Sequence, residues 1–491
     1  MIGLSRQSHF RLSAQLGSMI ASPFFWAAIT LCGLAVRFRQ FLFVHSYWYD
    51  EAFLVLAVRA RSLSELLGPQ PYNLVIPPLY MGVIQELHNI GGDNELLLRL
   101  PAFLAGIAAL FLMIPLSRRM IGNAQAVWAL AFLAGCRHAI SHGCEVRPYT
   151  FDLLLMEGVL YCVALLLDPK SGLIPWRLAA VGLMFAALFG PWLSFPCAFA
   201  LAAASIAIAA HIRRHASWRD WLAWLAFNVV TGASGALLWW FSARHLHSEH
   251  LVEHWRLGWG GFPDLHSPLD TAAWMVWRPI AIGNYGNREI GLLLTALAVP
   301  GAFELAKRSR ALVVLLLAPF AVALLAALLG KYPLADRTSF FLLPCLWLLS
   351  ASGVSRLVSW GRRHGRELAF AGLLLIAWDF ACLAGKLVEP DGRLDYRGAY
   401  QFVHAHRQPT DQLWSQTTVV YETYYGKTAP VLHDSEFHDA VRRARSERVW
   451  FVLGDNRDDL RQRFAASGGR VALRHHVSGL DVLLLEPRKA N

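Results

Sequence analysis

Residues 47–53 read YWYDEAF and directly follow an apolar stretch at 19–43. That stretch is long enough to cross a membrane as a helix. Asp50 and Glu51 would therefore lie where the chain leaves the bilayer, a depth at which ionisable groups are costly and are functional candidates by default. The alternative from composition alone is an interfacial aromatic belt with two solvated acids.

The composition divides the chain into two parts. Of its 491 residues 56% are hydrophobic and 16% are charged, and the mean hydropathy is +0.39. Residues 389–491 hold 29 charged side chains, about 28% and close to the roughly 25% of soluble domains. The rest of the chain has about half that density. We predict a membrane region at 1–388 and a soluble domain at 389–491.

Apolar segments of about 20 residues predict a mainly α, polytopic membrane protein of about 11 transmembrane helices. The segments are 19–43, 101–117, 124–141, 150–167, 176–210, 220–241, 290–306, 311–330, 340–358 and 367–387. The stretch 176–210 has basic residues at both ends, so it is predicted to cross twice with a turn at Gly190-Pro191-Trp192.

The Lys and Arg bias of the loops predicts the orientation. The basic loops and the N-terminus are placed on the cytoplasmic side of a bacterial inner membrane. The first 20 residues lack a small-residue cleavage site, so no removed signal peptide is predicted. The loop 44–100, the turns 141–149 and 331–339, the loop 242–288 and the tail then lie in the periplasm. The net charge of +11 largely marks the cytoplasmic side, and the tail has no basic stripe with interleaved aromatics, so no nucleic-acid partner is predicted.

The tail alternates between helix and strand patterns, which predicts a small periplasmic α/β domain. Helices are predicted at 396–406, 437–446 and 458–466, and strands at 412–415, 431–433, 449–454, 471–477 and 481–486. No cysteine lies in the tail, so disulfides do not hold this domain together.

Further polar clusters fall on the predicted periplasmic side. They are Pro77-Pro78-Leu79-Tyr80 with Arg99, Glu145-Val146-Arg147-Pro148-Tyr149, Lys331-Tyr332-Pro333 with Asp336-Arg337, and Arg37 at the outer end of the first span. Positive side chains here run against the positive-inside trend. An anionic ligand such as a lipid phosphate would explain them.

In their order along the chain, these motifs resemble those of the bacterial GT-C glycosyltransferases, which include relatives of protein O-mannosyltransferases and of the lipid A aminoarabinose and galacturonic acid transferases. The resemblance implies transfer of a sugar from a polyprenyl-phosphate donor to a lipid, glycan or protein acceptor in the periplasm. It also implies that the first loop, 44–100, is catalytic, with Asp50 at the place of the family's carboxylate. Relatives often have His or Glu just before the prolines, sometimes as a metal ligand, and this chain has Ile76.

The chemistry of this transfer gives each candidate a role. A lipid-phosphate leaving group needs cations, and we assign Arg37, Arg147, Lys331 and Arg337 to the donor phosphate. Asp50 is the predicted general base, with Glu51 orienting it or binding the acceptor, and direct displacement would invert the anomeric centre. A carboxylate beside a second carboxylate and near lipid is expected to have a raised pKa. The remaining substrate-binding candidates are Tyr49, Tyr80, Arg99, Glu145, Tyr149 and Tyr332.

Other functions stay open at this point. The main alternative is a transporter or flippase of a lipid-linked saccharide, which charged residues scattered through mid-span would favour. An O-antigen-ligase-type enzyme, which uses a diphosphate donor, would need the same charged groups but would lack the WYDEAF motif. Residues 250–254 match the HxxEH pattern of zinc peptidases, a short pattern in a chain with 19 histidines. No cofactor is assigned, and a divalent metal is left open.

Overall fold

The computed structural model describes residues 23–487 except 63, 169, 214–216, 247–248, 289, 365–373, 375–376, 378–380, 382–383, 391, 427–430, 433–436, 445 and 455–469. Up to residue 364 the secondary structure of the described chain consists of helices joined by loops. Its helices are α1 (Pro23–Leu42), α2 (Tyr49–Arg59), α3 (Pro78–Gly91), α4 (Glu95–Ile121), α5 (Asn123–Gly135), α6 (Arg137–His142), α7 (Tyr149–Leu166), α8 (Leu173–Leu193), α9 (Cys197–Ile212), α10 (Trp218–Phe241), α11 (Glu249–Trp259), α12 (Pro268–Gly286), α13 (Gly291–Arg308), α14 (Arg310–Leu328) and α15 (Leu343–His364). Short 3₁₀ helices lie at Glu65–Leu67, Pro71–Asn73, Ala243–His245 and Asp336–Leu342.

Seven helical segments of the described chain are long and apolar enough to cross a membrane. They are α1, α4, α7, α8, α10, α14 and Asp336–Val354, which runs from a 3₁₀ turn into α15. The helices α12 and α13 meet at an angle of 117° and make an eighth span if the bent pair crosses once. The protein is thus a multi-pass membrane protein. The predicted span 367–387 lies largely outside the described residues.

Two predicted spans are interrupted. The segment 124–141 forms the separate helices α5 and α6, because Cys136 between them is extended (φ −66°, ψ 109°). The stretch 176–210 forms two helices, α8 and α9, as its basic flanks predict. The break lies at Ser194–Pro196, a few residues beyond the predicted turn.

The chain between α1 and α4 folds into short helices. Pro78 begins α3, where its missing N–H costs nothing because the first helical N–H groups have no partner within the helix. The helices α2 and α3 pack face to face over one apolar cluster. Its members include Leu54, Val55, Val58, Tyr80, Met81 and Ile84.

The tail forms a five-stranded sheet with helices. Its elements are α16 (Tyr396–His406), β1 (Gln412–Ser415), α17 (Thr418–Tyr425), β2 (Val431–Leu432), α18 (Phe437–Arg443), β3 (Val449–Gly454), β4 (Arg470–Val477) and β5 (Leu480–Glu486). The strand order is β2-β1-β3-β5-β4, with β1 parallel to β2 and β3, and β5 antiparallel to β3 and β4. The predicted fold class, a mainly α membrane protein with a small α/β unit, is confirmed. The predicted helix 458–466 lies outside the described residues.

The sheet unit packs directly on α2. Ala52 of α2 belongs to the same buried cluster as Tyr396, Tyr400 and Tyr421 of the tail. Arg59 at the end of α2 donates to the carbonyl oxygen of Thr423 at 2.8 Å. The first loop is therefore held between the membrane helices and the tail.

Candidate active site

The N-terminal turn of α2 points its two carboxylates in different directions. Consecutive residues of a helix are turned by about 100°, and Glu51 is fully buried whereas Asp50 is 8% exposed. Glu51 accepts two bonds from Arg99, at 3.0 and 3.2 Å. It also accepts the backbone N–H groups of Val146 at 2.9 Å and Trp48 at 3.0 Å.

Arg99 fastens the start of the first loop to α4. It is 1% exposed and donates to the carbonyl oxygen of His45 at 2.8 Å. Its guanidinium lies 5.2 Å from the ring centroid of Tyr47. Arg99 and Glu51 thus form a buried, almost fully partnered pair that fixes the geometry of the segment before Asp50.

Two arginines from distant segments converge on Asp50. Arg147, in the turn between α6 and α7, has its Nη2 3.4 Å from Oδ2 of Asp50. Arg337 contacts the same oxygen. It follows Asp336, whose φ of +38° is rare for a residue other than glycine. Backbone strain of this kind is concentrated at functional sites.

The arginines keep Asp50 ionised. Burial acts to raise the pKa of Asp50, but the charges of Arg147 and Arg337 outweigh it and hold that pKa below its ordinary value. Burial likewise opposes ionisation of Glu51, and Arg99 lowers the pKa of Glu51. The expected raised pKa is therefore wrong, because each carboxylate has its own guanidinium partner.

Glu145, the third carboxylate predicted for the site, is buried in a chain of polar contacts. Its Oε1 is 3.0 Å from Nδ1 of His142 and also binds Arg393 of the tail. The Nε2 of His142 lies 2.6 Å from the hydroxyl of Tyr285 in α12. Burial acts to raise the pKa of Glu145, but Arg393 and His142 bring it far below its usual value.

The predicted tyrosines surround these carboxylates at different depths. The ring of Tyr149 lies 4.6 Å from that of His142, the partner of Glu145, and the ring of Tyr49 lies 4.6 Å from that of Trp48. Tyr80 is fully buried, and its hydroxyl has no hydrogen-bond partner among the described residues.

None of the hydrogen bonds and ion pairs found among the described residues joins Asp50 to three of the predicted residues. Tyr332 donates to the carbonyl oxygen of Thr338 at 2.8 Å and so braces the segment that carries Arg337. Lys331 is exposed. Arg37 is buried in α1 and donates to the carbonyl oxygens of Gly33 and Leu133, both at 3.0 Å. Arg37 therefore joins α1 to α5.

Sequence reasoning missed Arg393, His142 and Tyr285. His142 had a local signal, since it lies only three residues before Glu145 and the chain turns between them. Arg393 stands in the charged stretch where the tail leaves the membrane region, and no motif distinguishes it there. Tyr285 had no signal that we recognise.

The residues around Asp50 do not fit a divalent cation. A metal there would compete with two guanidiniums for one carboxylate, and like charges repel at such distances. Among the described residues, no group of three or more His, Cys, Asp and Glu side chains could hold a metal. Of the HxxEH residues, Glu253 and His254 are exposed on α11, and Glu253 pairs with Arg256 at 3.8 Å.

No protein-family model matches the chain, and no curated protein matches its sequence. Solved structures do. ArnT from Cupriavidus metallidurans, in one structure bound to undecaprenyl phosphate and in another in the apo state, shares 14% identity and has a TM-score of 0.55. The match covers 94% of this chain and 98% and 97% of those chains.

The oligosaccharyltransferase of Archaeoglobus fulgidus, solved in complex with zinc and sulfate, is also similar. It has a TM-score of 0.55 at 12% identity, and the match covers 94% of this chain and 72% of that chain. Likeness at such low identity concerns the fold. The GT-C fold expected from the order of the sequence motifs is confirmed.

Proposed function

We propose that this protein is a glycosyltransferase that moves a sugar from a polyprenyl-phosphate donor to a lipid, glycan or protein acceptor. The observation that carries the proposal is the convergence of Arg147 and Arg337 on Asp50. It occurs in a chain with the fold of ArnT, which has been solved with undecaprenyl phosphate bound.

The two arginines supply a site for the donor phosphate. Arg147 is buried, and its Nε has no hydrogen-bond partner among the described residues. A guanidinium held this way has donors left for an anion, and arginine matches phosphate geometry well. Lys331 is assigned to the outer rim of this site, while Arg37 has a structural role in the helix packing.

Donor binding would release Asp50 for catalysis. As the phosphate draws Arg147 and Arg337 to itself, the carboxylate loses the charges that lower its pKa and becomes a better base. Asp50 then takes the proton of the acceptor hydroxyl as the oxygen forms its bond to the anomeric carbon. The bond from that carbon to the phosphate oxygen breaks in the same step, and the polyprenyl phosphate leaves with the electron pair, stabilised by the arginines. The configuration at the anomeric carbon inverts.

The other residues position this site. Glu51 and Arg99 fix the start of α2 and so orient Asp50, while Tyr49, Tyr80 and Tyr149 are assigned to the substrate cavity. We infer a bacterial inner-membrane location, with the N-terminus cytoplasmic and both Asp50 and the domain 389–491 periplasmic. The direct packing of the tail on α2 supports a common side for these two parts.

The test is transfer by the purified full-length protein from a panel of polyprenyl-phosphate sugars. Asp50→Asn should reduce transfer by about 100-fold or more while the protein stays folded. Asp93→Asn is the matched control. Asp93 is an exposed carboxylate of the same loop, 44–100, and it pairs with Arg59. Near-normal turnover by Asp50→Asn would refute the assignment of the base.

One observation favours the transporter alternative. Glu157 is fully buried within the span α7, and neither of its carboxylate oxygens has a hydrogen-bond partner among the described residues. Intramembrane carboxylates are common in transport pathways. Flux of intact donor across liposomes without any transfer would support a flippase, and loss of that flux in Glu157→Gln would place Glu157 on its path.

A further inference from the structure

A cleft of about 470 Å³ lies at the seam between the first loop and the tail. Its walls are formed by Trp48, Gly392, Arg393, Leu394, Ser478 and Gly479. The volume falls in the range of about 300–1,000 Å³ that is typical of small-ligand pockets. The mechanism above uses none of these side chains.

The cleft has an aromatic wall with a cation beside it. The guanidinium of Arg393 lies 5.7 Å from the ring centroid of Trp48. The opposite wall is largely backbone, since Gly392 and Gly479 carry no side chain. Gly479 has a φ of +72°, and a Cβ there would lie 2.5 Å from Leu394, so this turn requires glycine.

The charge of the cleft favours an uncharged ligand. Among the described lining residues, Arg393 is the one that carries a charge, and that charge is balanced by Glu145, to which its guanidinium is bound. A phosphate would need a cation whose charge is not already balanced by a carboxylate. A sugar ring, in contrast, has an apolar face that packs on an indole and hydroxyl groups that bond to guanidinium and backbone groups.

We propose that this cleft binds a sugar ring of the acceptor, with Trp48 as its stacking platform. The inference rests on the proposed function and identifies the acceptor as a saccharide or glycolipid. The position suits this role, because Trp48 precedes Asp50 by two residues and its ring lies 4.6 Å from that of Tyr49. The backbone N–H of Trp48 donates to Glu51, the neighbour of Asp50, at 3.0 Å.

Gly392 allows the cleft to be filled without disturbing the fold. Among the described atoms, a Cβ at Gly392 would meet only the Oγ of Ser478, at 3.7 Å, so Gly392→Leu projects into the open space of the cleft. The matched control is Gly385→Leu. Gly385 is also exposed, a Cβ there would have no atom of a described residue within 4 Å, and Gly385 is not among the described residues that line the cleft. Trp48→Ala removes the platform, and Trp48→Tyr keeps an aromatic ring.

The experiment is saturation-transfer NMR with methyl glycosides on the full-length protein in nanodiscs, where no sugar-based detergent competes. We expect transfer to the sugar ring protons with the wild type and Gly385→Leu, and about tenfold weaker binding with Gly392→Leu and Trp48→Ala. Trp48→Tyr should restore much of the signal, and inorganic phosphate should not displace the sugar.

Three results would overturn the proposal: no sugar signal from wild-type protein that binds undecaprenyl phosphate, an unchanged signal in Gly392→Leu, or displacement by inorganic phosphate. The last would identify an anion site. The methyl glycosides carry no phosphate and undergo no transfer, so this outcome is independent of the Asp50→Asn assay. The absence of sugar binding in the cleft is thus distinguishable from the absence of the proposed reaction.

Discussion

At the scale of the residue, Asp50 and Glu51 are neighbours in sequence that differ in burial and in their hydrogen-bond partners. Glu51 is enclosed by Arg99 and two backbone N–H groups. Asp50 keeps a small exposed area, and the arginines that hold it are partners that an incoming phosphate is able to attract. A step of one residue, about 100° around the helix, therefore separates a structural carboxylate from the proposed general base.

Glu51→Gln should destabilise the protein far more than Asp50→Asn does. Breaking a buried ion pair costs about 3–5 kcal/mol, and among the described residues Arg99 would keep one carboxylate partner, Glu95, at the longer distance of 3.6 Å. The side chain of Arg337, a partner of Asp50, is 25% exposed, so water solvates it and the loss of Asp50 should cost less. Thermal unfolding of both variants beside wild type measures the difference. A Glu51→Gln protein that unfolds at the wild-type temperature would contradict the structural role of the pair.

At the scale of the element, the helix α17 connects the tail to the first loop. The hydroxyl of Tyr424 accepts the backbone N–H of Tyr47 at 2.8 Å and donates to Glu95 at 2.6 Å. Arg397 of α16 bonds Glu95 as well, at 2.9 Å. The start of the first loop is thus anchored by two helices of the tail.

Tyr424→Phe should loosen this anchor. It removes both hydrogen bonds and leaves the N–H of Tyr47 without its acceptor, which costs about 1–3 kcal/mol. We expect faster hydrogen exchange in residues 44–51, with little change in α4. Tyr425→Phe is the control on the same helix, because its ring stacks on Tyr421 with centroids 5.1 Å apart and that stacking survives the change. Equal exchange in both variants would argue against the anchor.

Elements with a clear pattern were predictable, and elements fixed by tertiary contacts were not. The helix Tyr396–His406 and the strand Val449–Gly454 occur where the sequence predicts them. The helix α17 was missed because its sequence, TVVYETYY, is rich in β-branched and aromatic residues that favour strands. Its packing on α2 outweighs that preference.

At the scale of the whole molecule, topology predicted which site residues would meet but not how deep each side chain lies. Asp50, Arg147 and Arg337 come together because three loops share one face of the helix bundle. Arg37 was assigned to that face from its sequence position, yet its side chain is buried against the carbonyl oxygen of Leu133. Arg393 could not be foreseen, since its role depends on how the tail packs against the first loop.

The titration of His45 should lower the stability of the chain as the pH drops below about 6.5. Burial and the charge of Arg99 lower the pKa of His45 to about 3, so between these two values the unfolded chain takes up a proton that the folded chain does not. The free energy of unfolding then falls by roughly 1.4 kcal/mol for each pH unit in this range. Asp50, Glu51 and Glu145 have lowered pKa values in the folded chain, so their contribution is complete above about pH 4 and is lost only below it. Thermal unfolding from pH 8 to pH 4.5 should therefore show that the wild type loses stability relative to His45→Gln as the pH falls, whereas the exposed His266→Gln variant follows the wild type. An equal pH dependence in all three proteins would show that His45 is not the titrating group.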